Sequence, residues 1–221
     1  SLGLRVSHTA SAVNYVQVTG AATNAAPSIS AQGSDTNIYL DIKSKGSRPI
    51  SFYTGASTPQ FTISHTNSTA NYWQATGGAA GSAPVLSVIG TDTNIDLALQ
   101  AKGTGYVKVN AGTGLGYGTG VGGAVTQATS RTTGVTLNFP CGAITLVSAA
   151  GTTSWQSFTV TNSTVAATDT IVVNQKSGTD LYQIFVTNVA AGSFKITFAT
   201  TGGTTVEQPV FNFAIFKSVS A

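Results

Sequence analysis

The chain is poor in charge, cysteine, histidine and methionine, and each shortage removes a class of function. Only 8% of its 221 residues are charged, one is Cys, two are His and none is Met. A lone Cys141 excludes any intrachain disulfide, so stability has to come from packing or assembly, as in a protein made in a reducing cytosol. A chain that begins at Ser1 and holds no Met is expected to have a processed or truncated start. It has no basic-then-apolar leader and no apolar run of bilayer length, so no membrane insertion is expected. Ten Lys/Arg against seven Asp/Glu give +3, but Lys43, Lys45 and Arg48 are the densest basic group. Without a basic patch, nucleic acid is not an expected partner.

The same scarcity bears on catalysis. The acids are Asp35, Asp41, Asp92, Asp96, Asp169, Asp180 and Glu207. Glycoside hydrolysis needs two carboxyl groups on facing surfaces, and no two of these are paired by spacing. Asp35 and Asp92 fall in turns, where such side chains are expected to bond their own backbone. His8 and His65 could meet their copies on a symmetry axis as a metal site. No second ligand type recurs nearby, however, and a strand-end Ser-His-Thr motif is the simpler reading. Cys141 has no His in 113–221 to activate it. The expectation is no catalytic residue, no metal and no cofactor.

What is present is a sequence written twice. Ser7-His8-Thr9 matches Ser64-His65-Thr66, and Asn14-Tyr15 matches Asn71-Tyr72. Asp35-Thr36-Asn37-Ile38 matches Asp92-Thr93-Asn94-Ile95, and Lys45-Gly46 matches Lys102-Gly103. Every pair is offset by 71 − 14 = 57 residues with no gap, the signature of one supersecondary unit built twice. Repeats are therefore expected at 1–57 and 58–112. Each reads as five short strands: Leu4–Val6 and Phe61–Ile63; Tyr15–Thr19 and Tyr72–Thr76; Ser28–Ser30 and Val85–Val88; Ile38–Ile42 and Ile95–Leu99; Ile50–Phe52 and Tyr106–Val109. No helical period of useful length appears.

Such strands carry few apolar side chains, often Ala or Val. Repeat arrays generally need about three or more units for a continuous core. The missing surface is expected from other copies, wrapped round a common axis so that open strand edges are also paired. A homotrimer is the specific expectation.

A Gly-rich stretch at 113–123 reads as a connector. It contains Gly118-x-Gly120-x-x-Gly123, but no helix follows to receive a pyrophosphate, so this is a flexible or close-packed link and not a nucleotide site. From 124 to 221 the candidate strands are Val135–Phe139, Ala143–Val147, Ser157–Thr161, Thr170–Val173, Tyr182–Thr187, Phe194–Ala199 and Val210–Val219. Seven or more short strands at even spacing predict a β-sandwich or jelly-roll-like domain, and the length suffices for its own core. In its turns, Trp155 with Gln156 and Tyr182 with Asp180 are the candidate receptor-binding residues. Aromatic faces stack on sugars while amide and carboxylate groups take hydroxyls. Packing of both rings at a subunit interface is the alternative.

The motifs NY-x-Q-x-TG, A-P-x-x-S, G-x-DTNI-x-L and KG in the repeats resemble the strand-turn repeats of tail-fibre and head-fibre proteins of tailed bacteriophages. Gly116-Tyr117-Gly118-Thr119-Gly120, Thr126–Arg131, Cys141–Thr145, Phe158–Ser163 and Asn212–Lys217 are similar to the distal domain of such proteins. The resemblance covers nearly the whole chain and carries no catalytic residues. It implies an all-β homotrimeric virion fibre assembled in the bacterial host cytoplasm. The N-terminal part would hold other virion proteins, and a C-terminal knob would meet a host surface glycan or protein. A capsid decoration or head-fibre protein is the nearest alternative. A polysaccharide-depolymerising tailspike and a bacterial surface adhesin follow.

Overall fold

The computed structural model describes residues 3–7, 9–55, 57–110, 112 and 114–218. The chain is all-β: sixteen strands and no helix among the described residues. In particular, no helix is long and apolar enough to cross a membrane. The chain divides into two compact units, Ser1–Gly105 and Tyr106–Ala221.

The first unit consists of three separate hairpins. β1 (Asn14–Thr19) pairs antiparallel with β2 (Ser28–Gly33), and β5 (Asn71–Thr76) pairs identically with β6 (Val85–Gly90). Between them, β3 (Ile50–Phe52) pairs with β4 (Phe61–Ile63), and Phe52 packs on Phe61 at 5.9 Å between ring centroids. The 57-residue offset extends to the backbone. Left-handed Ser11 (φ 60°), Asn24 (66°) and Gly46 (64°) recur as Ser68 (54°), Gly81 (83°) and Gly103 (61°). Asn24 tolerates this region through its short polar side chain, and Gly81 in its place has no Cβ to clash.

Each long hairpin has a side-chain hydrogen bond across its mouth, beside a backbone one from Ser34 to Val13 or from Thr91 to Ala70. Asn14 Nδ2 donates to Asp35 Oδ2 and Asn71 Nδ2 to Asp92 Oδ2, both at 2.7 Å. The two aspartates therefore hold the start of the first strand of each hairpin, 21 residues back. This corrects the expectation that they bond their own backbone. Gly33 and Gly90, two residues before the aspartates, leave room for the lock, since a Cβ on either would sit 2.2 Å from the asparagine Oδ1.

Several expected strands are missing from the ladders. Leu4–Val6, Ile38–Ile42, Ile95–Leu99 and Tyr106–Val109 have no partner edge among the described residues and belong to no sheet. Extended backbone counts as a strand only when another backbone satisfies it.

The second unit has a core of its own. β8 (Val135–Thr136), β11 (Gln156–Thr161), β14 (Ser193–Thr200) and β13 (Tyr182–Ala190) form one four-stranded sheet in the order β13-β14-β11-β8. β7 (Gly122–Thr126), β9 (Cys141–Thr145), β16 (Val210–Phe216) and β12 (Thr170–Ser177) form another in the order β12-β16-β9-β7. Only β8–β11 and β7–β9 are parallel. Alternation turns Phe158 and Val160, Phe194, Ile196 and Phe198 of the first sheet inward. Ile144, Phe211, Phe213 and Ile215 of the second meet them in one buried cluster. Phe198 lies edge-on to Phe211 at 5.4 Å and Phe194 packs on Phe213 at 5.2 Å, joining the two sheets ring to ring. A small pair, β10 (Ala149–Ala150) with β15 (Val206–Glu207), completes the strands.

β7 begins inside the stretch expected to be a connector, at Gly122 and Gly123. Gly122 and Gly123 stand beside Cys141 and Gly142 of β9. A Cβ on Gly123 would fall 2.5 Å from the Phe139 ring and 2.9 Å from Leu137. These glycines are close-packed strand residues, not a flexible link. Tyr117, also in that stretch, donates its hydroxyl to the Ile215 carbonyl.

Candidate functional site

The four candidate receptor residues part company in the structure. Trp155 is 54% exposed and packs at 5.6 Å on Phe185, itself 53% exposed. Gln156 opens β11 and shares the inward parity of Phe158 and Val160, whereas Trp155 precedes the strand. Asp180 and Tyr182 are each only 7% exposed. Tyr182 begins the inward phase of β13, followed by Ile184 and Val186, and packs on Phe198 and Phe211. Its ring offers no face to an external ligand, nor does it lie at an open surface awaiting another subunit. That corrects both readings of this residue.

Asp180 and Tyr182 belong instead to a buried polar network that organises the loops at one end of the unit. At its centre is Arg131, 3% exposed. Its Nε donates to the Val147 carbonyl at 3.1 Å, and one terminal nitrogen donates to the carbonyls of Ala149 (2.6 Å) and Glu207 (2.7 Å). The other donates to the Tyr182 hydroxyl at 2.9 Å, and that hydroxyl donates on to Glu207 Oε1 at 3.1 Å. The chain of bonds places a phenol between a buried cation and a carboxylate, in a setting where such bonds strengthen one another. Burial is the main cause pushing the Tyr182 hydroxyl up to about 12, with the neighbouring Arg131 charge opposing it.

Burial also opposes the charge on Glu207. The amides of Thr179 and Asp180 and the Tyr182 hydroxyl outweigh it together and hold the carboxyl below its usual range. Asp180 Oδ2 in turn accepts from the Thr205 amide at 2.9 Å, and Gly151 and Gly203 press against that carboxylate. Both carboxylates are thus spent on backbone donors, tying the 178–181 turn to the 203–207 segment.

A third anchored acid lies earlier in the chain. Asp169 accepts from the Ala166 amide and from Lys217 Nζ, both at 2.7 Å. The Lys217 hydrogen bond is the chief cause holding its carboxyl below the ordinary range.

The outer face of the β13-β14-β11-β8 sheet carries the exposed chemistry of this unit. The register places Phe185 beside Thr197, and Thr197 beside Ser157. The hydroxyls of Thr187 and Thr197 lie 2.7 Å apart. With Trp155, these make an aromatic patch bordered by hydroxyl groups, able to stack against a flat ring and hydrogen-bond at its edge. Phe185 was not singled out from the sequence. Its signal was the alternation Gln183, Phe185, Thr187, which sets one large ring among outward polar residues. Arg131 and Glu207 gave no such signal.

His8 lies outside the described residues. His65 lines a shallow hollow of about 400 Å³ with Lys43, Arg48 and Ile63 in the first unit. Among the described residues, no three His, Cys, Asp or Glu side chains gather as a metal site. No protein-family model, curated protein or solved structure matches the chain.

Proposed function

We propose that the chain is a subunit of a homotrimeric fibre or appendage of a tailed bacteriophage, acting by multivalent attachment to a host surface. In this reading the first unit is an intertwined shaft or anchor that also holds other virion proteins. The second is a β-sandwich knob whose Trp155–Phe185 patch meets a surface glycan or protein. Three weak sites on one stalk raise the effective concentration of each. Assembly takes place in the host cytoplasm and the product resides on the virion. The motif resemblance in both halves supports the phage assignment.

The observation that carries the trimer is the state of the first unit: not one of its described residues is buried. Tyr15, Val16, Val18, Ile29, Tyr72 and Trp73 all stand at least half exposed on its hairpins. Isolated two-stranded hairpins are marginal in water at best, and apolar surface on this scale marks an interaction face. Neighbouring copies would supply the missing core. Native mass by light scattering tests this: the expected value is 3 × 22.3 kDa, about 67 kDa, maintained on dilution. A stable, monodisperse 22.3 kDa species would overturn it.

A further inference from the structure

Two segments, one in each repeat, have the pattern of strands and no partner to pair with. Ile38–Ile42 and, 57 residues later, Ile95–Leu99 alternate apolar with polar residues. Among the described residues, no backbone group from 37 to 43 or from 94 to 100 bonds another backbone group. Their apolar rows remain open: Leu40, Ile42, Leu97 and Leu99 are all exposed. The first segment is two-faced. Asp41 and Lys43 lie on the side opposite Leu40 and Ile42, joined by a 2.7 Å ion pair whose members are both well exposed.

We infer that these segments are strands between copies: residues 38–42 and 95–99 of one chain hydrogen-bond to the backbone of neighbouring copies. The rows Ile38, Leu40, Ile42 and Ile95, Leu97, Leu99 turn towards the common axis. This rests on the trimer reading and adds which residues join the subunits. Three observations point to a second copy as the occupant. Both repeats leave the equivalent segment open, so the partner has to present two matching strands at matching spacing. Another copy of this chain carries that pair at the same 57-residue offset. The Asp41–Lys43 pair leaves the first segment neutral, so its copies can approach without like-charge repulsion, whereas the second segment carries Asp96 with Gln100 at the position of Lys43. Finally, a cleft of about 740 Å³ lies between the end of β2 at Ala31–Gly33 and the Asp35–Tyr39 turn, beside an unpaired strand edge of the kind that accepts an added strand.

Hydrogen exchange of the full chain, at a concentration where light scattering gives the trimer mass, tests the inference. The amides of 39–42 and 96–99 are expected to exchange at least about 100-fold more slowly than unstructured backbone. The double substitution Leu40→Asp/Leu97→Asp should abolish both the slow exchange and the trimer mass. Tyr39→Ser, on the opposite face, should leave both intact. Urea unfolding followed by Trp155 fluorescence in a Trp73→Phe background reports that the second unit of the variants remains folded. A trimer mass with free exchange at both segments overturns this inference and leaves the trimer reading standing. So does a double variant that keeps its trimer mass and slow exchange. A monomer mass for the unaltered chain overturns both.

Discussion

Replacing Arg131 with methionine should remove a large share of the stability of the second unit. Methionine keeps much of the apolar stem but none of the donors. The carbonyls of Val147, Ala149 and Glu207 lose their guanidinium partner, and the Tyr182 hydroxyl loses its donor. A buried acceptor left unpaired costs about 1–3 kcal/mol. Three carbonyls give about 3–9 kcal/mol, and since they are only partly buried, water can satisfy some of them. The low end, about 3–5 kcal/mol, is the expected loss, in line with breaking other buried charged networks. Against a whole-domain stability of about 5–15 kcal/mol this is a severe lesion. At roughly 4 °C per kcal/mol for a unit of about this size, the melting temperature should fall by about 12–20 °C. Trp155 is one of only two tryptophans, so a Trp73→Phe background leaves it as the sole indole reporting on this unit. Urea and thermal unfolding followed by its fluorescence give the value. A loss under about 1 kcal/mol would refute the idea that Arg131 fastens these loops.

Four further outcomes follow from the same geometry. Tyr182→Phe should cost about 1–2 kcal/mol at neutral pH by unpairing Arg131 and Glu207. In the unaltered chain the folded hydroxyl titrates at about 12 against 10.0 for a free phenol, so its contribution is full below pH 10.0 and lost as pH rises through about 12. The substitution should flatten that alkaline limb in urea midpoints measured against pH. Asp169 behaves in the opposite sense. Its carboxyl is held low, chiefly by Lys217, so its contribution is present above the ordinary carboxylate range and disappears as pH falls through the folded value. Asp169→Asn should make the acid limb shallower, leaving the part that Glu207 contributes, and leave the alkaline limb unchanged. Gly123→Ala should destabilise by about 1–3 kcal/mol in the same unfolding assay, because its methyl meets the Phe139 ring and Leu137. Under the proposed attachment role, Trp155→Ala should weaken binding of the chain to its target surface at least about tenfold while leaving the melting temperature within a few degrees.

Much of the second unit was legible because its alternation is answered within its own chain. Phe194/Ile196/Phe198 and Phe211/Phe213/Ile215 each have a paired strand and a facing sheet, so an apolar row in the sequence becomes a buried row in the structure. The candidate receptor residues were harder. Gly178-Thr179-Asp180 reads as a surface turn, yet Asp180 is buried in it. Tyr182, however, shares its parity with Ile184 and Val186 and follows them inward. Taking that parity ahead of the turn would have placed the ring in the core. β7 was hidden for a different reason. Gly122-Gly123 has the composition of a breaker, and only the proximity of Phe139 and Leu137 explains why a strand there has to lack side chains. Arg131 sits 51 residues from Tyr182 in sequence, and nothing local announces that the two meet.

The first unit reverses the relation between pattern and outcome. Its alternating segments are as regular as those of the second unit, yet Ile38–Ile42 and Ile95–Leu99 find neither a ladder nor a core among the described residues. Regular alternation specifies a face and a pairing edge, not the molecule that supplies the partner. Where the partner lies in the same chain, as for β11 with β14, periodicity alone leads to the correct burial. Where the pattern persists and burial does not, the unpaired backbone and open apolar rows set what the proposed partner would have to be: extended, apolar on one face, and repeated at 57 residues. Another copy of the chain meets all three conditions, and so the disagreement between pattern and burial in the first unit carries more functional information than the agreement in the second.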